Sequence, residues 1–324
     1  MRRLRGFAAI VLTGLAALAA THAQAAGLKS IEVPADAAGP LIKAIVWTPC
    51  NTAPGQVVMG PFTLPGVRDC AVAGDHLGLV VVSHGYGGNA LGHHDTAEAL
   101  ADAGFVAVAL DHPDDTTSNK DPAANVAALA HRPTDVKRVI DYMLTGWPDA
   151  RRIDPARIGF FGFSRGGYTG LVIGGANPDF VHAHVRCPGP PALCAPMQAA
   201  SPLTHDPRVR AIVIADPLSF FPTRDSLKDV KVPLQLWSSE RGGDGVSPED
   251  VAAVARDLPV RPDFHRVPGT AHFAFLTPCP PVLTKEIPQI CVDDGGFDRV
   301  AFHRRLDAEV VDFLRAHLAP AAKP

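Results

Sequence analysis

The stretch Phe160-Phe161-Gly162-Phe163-Ser164-Arg165-Gly166-Gly167 constrains this chain more than any other. An apolar run over residues 157–163 enters it, and an alanine- and glycine-rich segment over 168–176 leaves it. The pattern reads as a strand, a sharp turn and a helix, with Ser164 on the turn. Gly-x-Ser-x-Gly at a strand-to-helix turn has a steric reason: the serine backbone is strained there, so Gly162 and Gly166 must leave room around it. The turn lifts Oγ clear of the sheet. The first N–H groups of the following helix point to where negative charge develops on an attacked carbonyl, and the helix dipole has the favourable sign there. Geometry and electrostatics agree on a nucleophile. A chance match in a chain with 29 glycines is the competing reading, and the apolar strand feeding the motif argues against it.

The N-terminus is expected to lie outside the fold. Met1-Arg2-Arg3-Leu4-Arg5 is basic, residues 7–20 are apolar but too short to span a bilayer, and Ala23-Gln24-Ala25 has the form of a cleavage signature. Residues 1–25 read as a signal peptide cleaved after Ala25, which places the mature protein in a periplasm or outside the cell. The whole chain carries 30 basic and 33 acidic residues, net -3; without Arg2, Arg3 and Arg5 the balance becomes -6. That charge argues against nucleic acid or an anionic membrane as partner. Residues 26–324 contain no long linker, repeat or second spanning segment, and read as one domain. Six cysteines in an exported chain argue for disulfides. Nearest-neighbour pairing (Cys50 with Cys70, Cys187 with Cys194, Cys279 with Cys291) would staple three proline-rich loops. A cysteine metal site lacks the ligand spacing it would need.

In chain order, residues 29–33 and 41–47 read as sheet-edge strands, and a Pro- and Gly-rich excursion follows, holding Cys50 and Cys70. Residues 78–83 form a near-continuous apolar run, as a parallel strand buried on both faces requires. The run ends in His84-Gly85-Tyr86-Gly87-Gly88, where a glycine-rich turn lets a backbone N–H point into a crevice above the sheet. Residues 91–103 read as a helix. His93-His94-Asp95 at its start is better explained as a solvated first turn than as a metal site. Phe105–Leu110 is the next strand, and the polar loop after it, with Asp111-His112-Pro113-Asp114-Asp115, is assigned no chemistry. A helix is expected over 133–144. Residues 177–208 form a long loop expected to wall the site. Strands follow over 210–215, 233–238 and 262–267, and a closing helix over 297–317. The gap between the strands at 210–215 and 233–238 is too short for a cap domain. Strands alternating with helices give a mostly parallel sheet covered on both faces.

A serine needs a base to act at neutral pH, and the base needs a carboxylate to fix its tautomer. His272, in a loop after the last strand, is the candidate base; His265, His303 and His317 are worse placed. Asp244, between a strand and the Ser247-Pro248 helix start, is the preferred acid. Asp216, which ends the preceding strand, is the alternative.

These residues carry a resemblance to the α/β-hydrolase fold. The motifs are His84-Gly85-Tyr86-Gly87-Gly88, Gly104-Phe105, Ile153-Asp154-Pro155-Ala156-Arg157-Ile158-Gly159, the elbow, and Ala271-His272. Within that fold the chain resembles bacterial dienelactone-hydrolase-like proteins, and is similar to platelet-activating-factor acetylhydrolases and cutinase-type polyester hydrolases. The resemblance implies Ser164 as nucleophile, His272 as base and the N–H groups of Tyr86 and Arg165 as oxyanion hole. The acetylhydrolases point to Asp216 as acid and the cutinase-type enzymes to Asp244. One departure stands: dienelactone hydrolases use a cysteine nucleophile, and this elbow carries Ser164. The expectation is an exported serine hydrolase, free of metal and cofactor, that cleaves esters of short or medium acyl groups, or polyesters, through an acyl-enzyme. A lactonase or peptidase on the same fold, or a catalytically inactive binding module, are the rival readings.

Overall fold

The computed structural model describes residues 25–320 apart from residue 120 and most of the segment 184–202. All but Ala25 of the expected signal peptide, the expected Cys187–Cys194 pairing and most of the expected site-walling loop lie outside the described residues.

Strands β1 (Ala25–Val33), β2 (Ile42–Cys50), β3 (Gly55–Met59), β4 (Phe62–Arg68) and β5 (Leu77–Ser83) precede helix α1 (His94–Asp102). Next come β6 (Phe105–Leu110), α2 (Pro122–Thr145), β7 (Ile153–Phe163) and α3 (Arg165–Ile173). The remainder is β8 (Val209–Ala215), α4 (Arg224–Leu227), β9 (Leu234–Ser239), α5 (Pro248–Asp257), β10 (Asp263–Val267), α6 (Pro281–Glu286), α7 (Pro288–Cys291) and α8 (Arg299–His317). The sheet order is β10-β9-β8-β7-β5-β6-β2-β1-β4-β3. The run from β10 to β6 is parallel throughout, and on the β2 side a mixed extension follows, antiparallel except where β4 joins β1 in parallel.

The apolar runs sort themselves by pleat. Along β5, Leu79 and Val81 enter one core while Val80 and Val82 enter the other. Helices α2, α3 and α5 cover the first core through residues such as Val136, Leu171 and Val251. Helices α1 and α8 cover the second through Leu100, Leu306 and Val310. Two covered faces force every loop that could carry chemistry to an end of the sheet, and the parallel strands deliver β5, β7, β8, β9 and β10 to the same end. Between β8 and β9 only α4 intervenes.

Two expectations need correction. The excursion after β2 holds the hairpin of β3 and β4, turning at Gly60, whose φ is +55°, and this hairpin puts β1 and β2 inside the sheet and not at its edge. And α2 begins eleven residues before the expected start at residue 133, with Asp121 accepting from Ala123 N–H at 2.9 Å as its cap and Pro122 at its first position. Pro133 therefore lies inside the helix, where its missing N–H leaves the Leu129 carbonyl without a helical partner. The hydroxyl of the fully buried Tyr168, on α3, donates to that carbonyl at 3.0 Å. A proline that reads as a helix start is tolerated because the elbow helix supplies the lost hydrogen bond.

Disulfide Cys50–Cys70 ties the end of β2 to the chain just beyond β4, and Cys279–Cys291 brackets α6 and α7. Replacing Cys50 and Cys70 together by alanine should lower stability by about 3 kcal/mol, since closing a loop of this length removes that much denatured-state freedom. Urea unfolding checks it; an unchanged midpoint would contradict a structural role for the bridge.

Candidate active site

Ser164 stands between β7 and α3 with φ +55° and ψ -115°, a conformation an L-residue adopts only when its surroundings impose it. The imposition is visible on both sides. Ser164 N–H donates to Ala215 O at 2.9 Å, and its carbonyl accepts from Tyr168 and Leu218 N–H at 3.0 Å each. A Cβ on Gly166 would sit 2.0 Å from Ser83 O, and one on Gly162 would sit 2.3 Å from Gly166 O. Only glycine fits at either place, as the motif requires.

His272 opens a short 3-10 turn, His272–Phe275, beyond β10. Its N–H donates to Gly242 O at 2.9 Å, and its ring lies 4.5 Å from that of Phe163, the residue before Ser164. The imidazole is 1% exposed, and its Nε2 has no hydrogen-bond partner among the described residues. Its Nδ1–H donates to Asp216 Oδ2 at 3.0 Å.

Asp216 follows the last residue of β8, also at positive φ (+41°), and is fully buried. Besides His272, its carboxylate accepts from Ser239 N–H at 2.7 Å and Ser239 Oγ–H at 2.6 Å. Three donors thus meet one buried carboxylate. Ser239 Oγ in turn accepts from Gly242 N–H at 3.0 Å, so the loop after β9, whose Gly242 carbonyl holds the His272 N–H, is tied to the acid as well. Ser239 escaped the sequence reading, because nothing in a buried strand's last residue marks it as a donor to a neighbouring strand.

The structure thus brings Asp216 to His272, not the preferred Asp244. Asp244 is exposed, with φ +49°, and is followed by Gly245 at φ +83°. Gly243 and Val246 exchange both backbone hydrogen bonds at 2.9 Å around them. Asp-Gly with two positive φ values closing such a pair is a tight turn of type I′, and the dipeptide is itself the signal for it. The aspartate there serves backbone geometry.

Tyr86 lies in the turn after β5, and Arg165 is the first residue of α3. Neither backbone N–H has an acceptor among the described hydrogen bonds. The Tyr86 ring is 53% exposed, with the Arg165 guanidinium 4.3 Å over it. Below the turn, His84 and His112 are buried. Burial, aided by the nearby Arg132 charge, pushes His84 down to about 3 and His112 well below the usual histidine range. Both are neutral, and their nitrogens are spent locally: His84 on Gly85 O and on His112 N–H, His112 on Ser83 Oγ and on Asp135.

Behind the His272 turn is a second polar group. His303 Nε2–H donates to Ala274 O at 2.9 Å, and Nδ1 faces Asp95 Oδ2 at 2.7 Å. Burial alone would lower His303, but the Asp95 carboxylate, helped by Asp307, outweighs it and raises the imidazole above the usual histidine range. Asp307 accepts from Thr96 Oγ–H at 2.6 Å, and burial together with Asp95 pushes it up to about 7. Donor atoms of Asp95, His303 and Asp307 lie within 4.8 Å of one another, a spacing a cation could use. Both His303 nitrogens are already engaged, however, so the group closes on itself as an ion pair bracing the turn that carries His272.

Residues 71–228 match the dienelactone hydrolase family. The fold is that of a ferulic acid esterase from Streptomyces cinnamoneus, 20% identical, with a TM-score of 0.62 over 95% of this chain and 94% of that one. The chain has an α/β-hydrolase fold, and its part 71–228 is similar to the dienelactone hydrolase family. Among curated proteins none matches it in sequence. The family match spans β5, the elbow and β8, the elements that present Tyr86, Ser164, Arg165 and Asp216; β9 and His272 lie beyond it.

Glu98, on α1 beside the Asp95–His303 pair, is pushed from an ordinary 4.5 up to about 8 by burial and by the nearby Asp102, Asp95 and Asp307. The folded chain keeps this proton where the unfolded chain has released it, so its contribution to stability weakens as pH rises from about 4.5 to about 8. Glu98→Gln, which mimics the protonated form, should match the wild type near pH 4.5 and melt progressively higher than it up to pH 8. Thermal midpoints across that range check it; a gap independent of pH would contradict the assignment.

Proposed function

We propose that this α/β-hydrolase is an exported serine esterase working through Ser164, His272 and Asp216. The hydrogen bond from His272 Nδ1 to Asp216, beside a serine held at positive φ on an elbow, is the observation that carries the reading. Asp216 fixes the tautomer that leaves Nε2 as the basic nitrogen, and Nε2 is the one without a partner. Ser164 Oγ gives its proton to Nε2 as it attacks the ester carbonyl. The tetrahedral oxyanion is held by the N–H groups of Tyr86 and Arg165. Nε2 then protonates the departing alcohol, leaving an acyl-serine, and water attacks by the same steps in reverse roles. Asp216 orients the imidazolium and stabilises it.

Ester substrates of short or medium acyl chains, or polyester ends, suit a site with no inserted cap between β8 and β9. The structural neighbour is a ferulic acid esterase, which supports an ester over an amide. An open cleft of about 270 Å³ borders the oxyanion turn, lined by Tyr86, Thr116, Asn119 and Asn125 among others, and would take the acyl or alcohol part. Export is supported by the leader-like residues 1–25 and by the two disulfides; among the described residues no helix is long and apolar enough to cross a membrane.

Steady-state hydrolysis of a nitrophenyl ester series tests this. Ser164→Ala and His272→Ala should fall to background. Asp216→Asn should lower kcat by about 10³- to 10⁴-fold by presenting the wrong tautomer, whereas Asp244→Asn, which keeps a residue suited to its turn, should stay within about twofold. Activity retained in Ser164→Ala would overturn the mechanism, and a loss in Asp244→Asn alone would reassign the acid.

A further inference from the structure

The serine-esterase reading leaves unexplained what holds two backbone N–H groups, from separate loops, on one oxygen. Oxyanion stabilisation requires donors about 3 Å from a single point, set in place before the charge forms. Arg165 N–H is fixed by the helix it starts. Tyr86 N–H belongs to a turn whose neighbouring peptide contains Gly87 at φ +59°, with nothing within 4 Å of where a Cβ would be. No side chain packs against Gly87 to hold that peptide.

We propose that Asp115 is the positioning residue that ties the two halves of the oxyanion hole together. It stands in the loop after β6, fully buried, in the polar stretch that the sequence reading passed over. Its Oδ1 accepts from Gly87 N–H at 3.0 Å, which stops the peptide beside Tyr86 from turning over. Its Oδ2 accepts from Arg165 at 3.1 Å and from Arg132 at 2.7 Å. One carboxylate thus holds the β5 turn with one oxygen and the first residue of the elbow helix with the other.

Arg132, on α2 and fully buried, repeats the linkage one layer down. It donates to His84 O and to Ser83 Oγ on the β5 side, and to Thr169 Oγ on the elbow side. Thr169 Oγ–H donates onward to Arg165 O at 2.7 Å. Arg165 is held from a third direction by Asn125 O at 2.7 Å. The bridge between Gly88 and Thr116 keeps the Asp115 segment alongside the turn.

The arrangement also has an electrostatic consequence. Two guanidinium groups share the Asp115 carboxylate, so this cluster brings more positive than negative charge to the side chain of Arg165, with Asp135 as a further carboxylate near Arg132. A charge fixed there favours the tetrahedral anion over the neutral ester, which is a transition-state effect and not a binding effect.

The test is Asp115→Asn, whose Oδ1 can still meet Gly87 while its amide faces two cations. Arg165→Met, which keeps the backbone N–H and the apolar stem, is the second variant and carries the test if Asp115→Asn does not fold. Each folded variant should lose about 10- to 100-fold in kcat with KM within about threefold of wild type, and should bind an aryl boronate more weakly by the same factor as kcat falls. A role in stability alone would lower the melting temperature and leave kcat of the folded fraction and boronate affinity unchanged, and that result would overturn the proposal. So would a loss confined to KM. If Ser164→Ala is inactive and Asp115→Asn turns over at the wild-type rate, the esterase reading stands and this inference alone fails.

Discussion

The site rests on how closely the first turn of α3 lies against the end of β5. A Cβ at Gly166 would stand 2.0 Å from Ser83 O, so the backbones meet with no side chain between them. That contact permits the positive φ of Ser164, and it sets the Tyr86 turn beside the Arg165 N–H. It also brings Ser164 N–H to Ala215, one residue before Asp216. Strain at one residue is sustained by hydrogen bonds from β8, from the loop after it and from the elbow helix, as expected where a fold stores strain for chemistry.

Around that contact the polar groups are arranged so that each buried charge has a purpose in geometry. Asp216 gathers His272 and Ser239, and Asp115 gathers Gly87, Arg132 and Arg165. Asp95 and His303 brace the turn carrying His272. Buried ion pairs add little to stability against apolar alternatives of the same volume. Their placement here follows the loops that must not move.

Much of this was legible in the sequence. The apolar strands before Ser83 and Ser164 are dictated by burial on both faces, and the elbow glycines by sterics. The His272 position followed from chain order. What was not legible depends on contacts between distant segments. Asp216 and Asp244 each end a strand or open a loop, and the chain alone does not say which carboxylate meets the imidazole; the Asp-Gly turn signal was present but was read as a triad position. Pro133 read as a helix start because its rescue by Tyr168 comes from another helix. Asp115 looked like an ordinary loop residue, since its three donors come from β5, α2 and α3.

The most direct test of the central claim is labelling of the folded, oxidised protein with a fluorophosphonate, read by intact mass and peptide mapping. The account predicts one adduct, on Ser164, formed at a rate that collapses in His272→Ala. Absence of labelling, or an adduct elsewhere with Ser164 unmodified, would contradict an activated serine at the elbow.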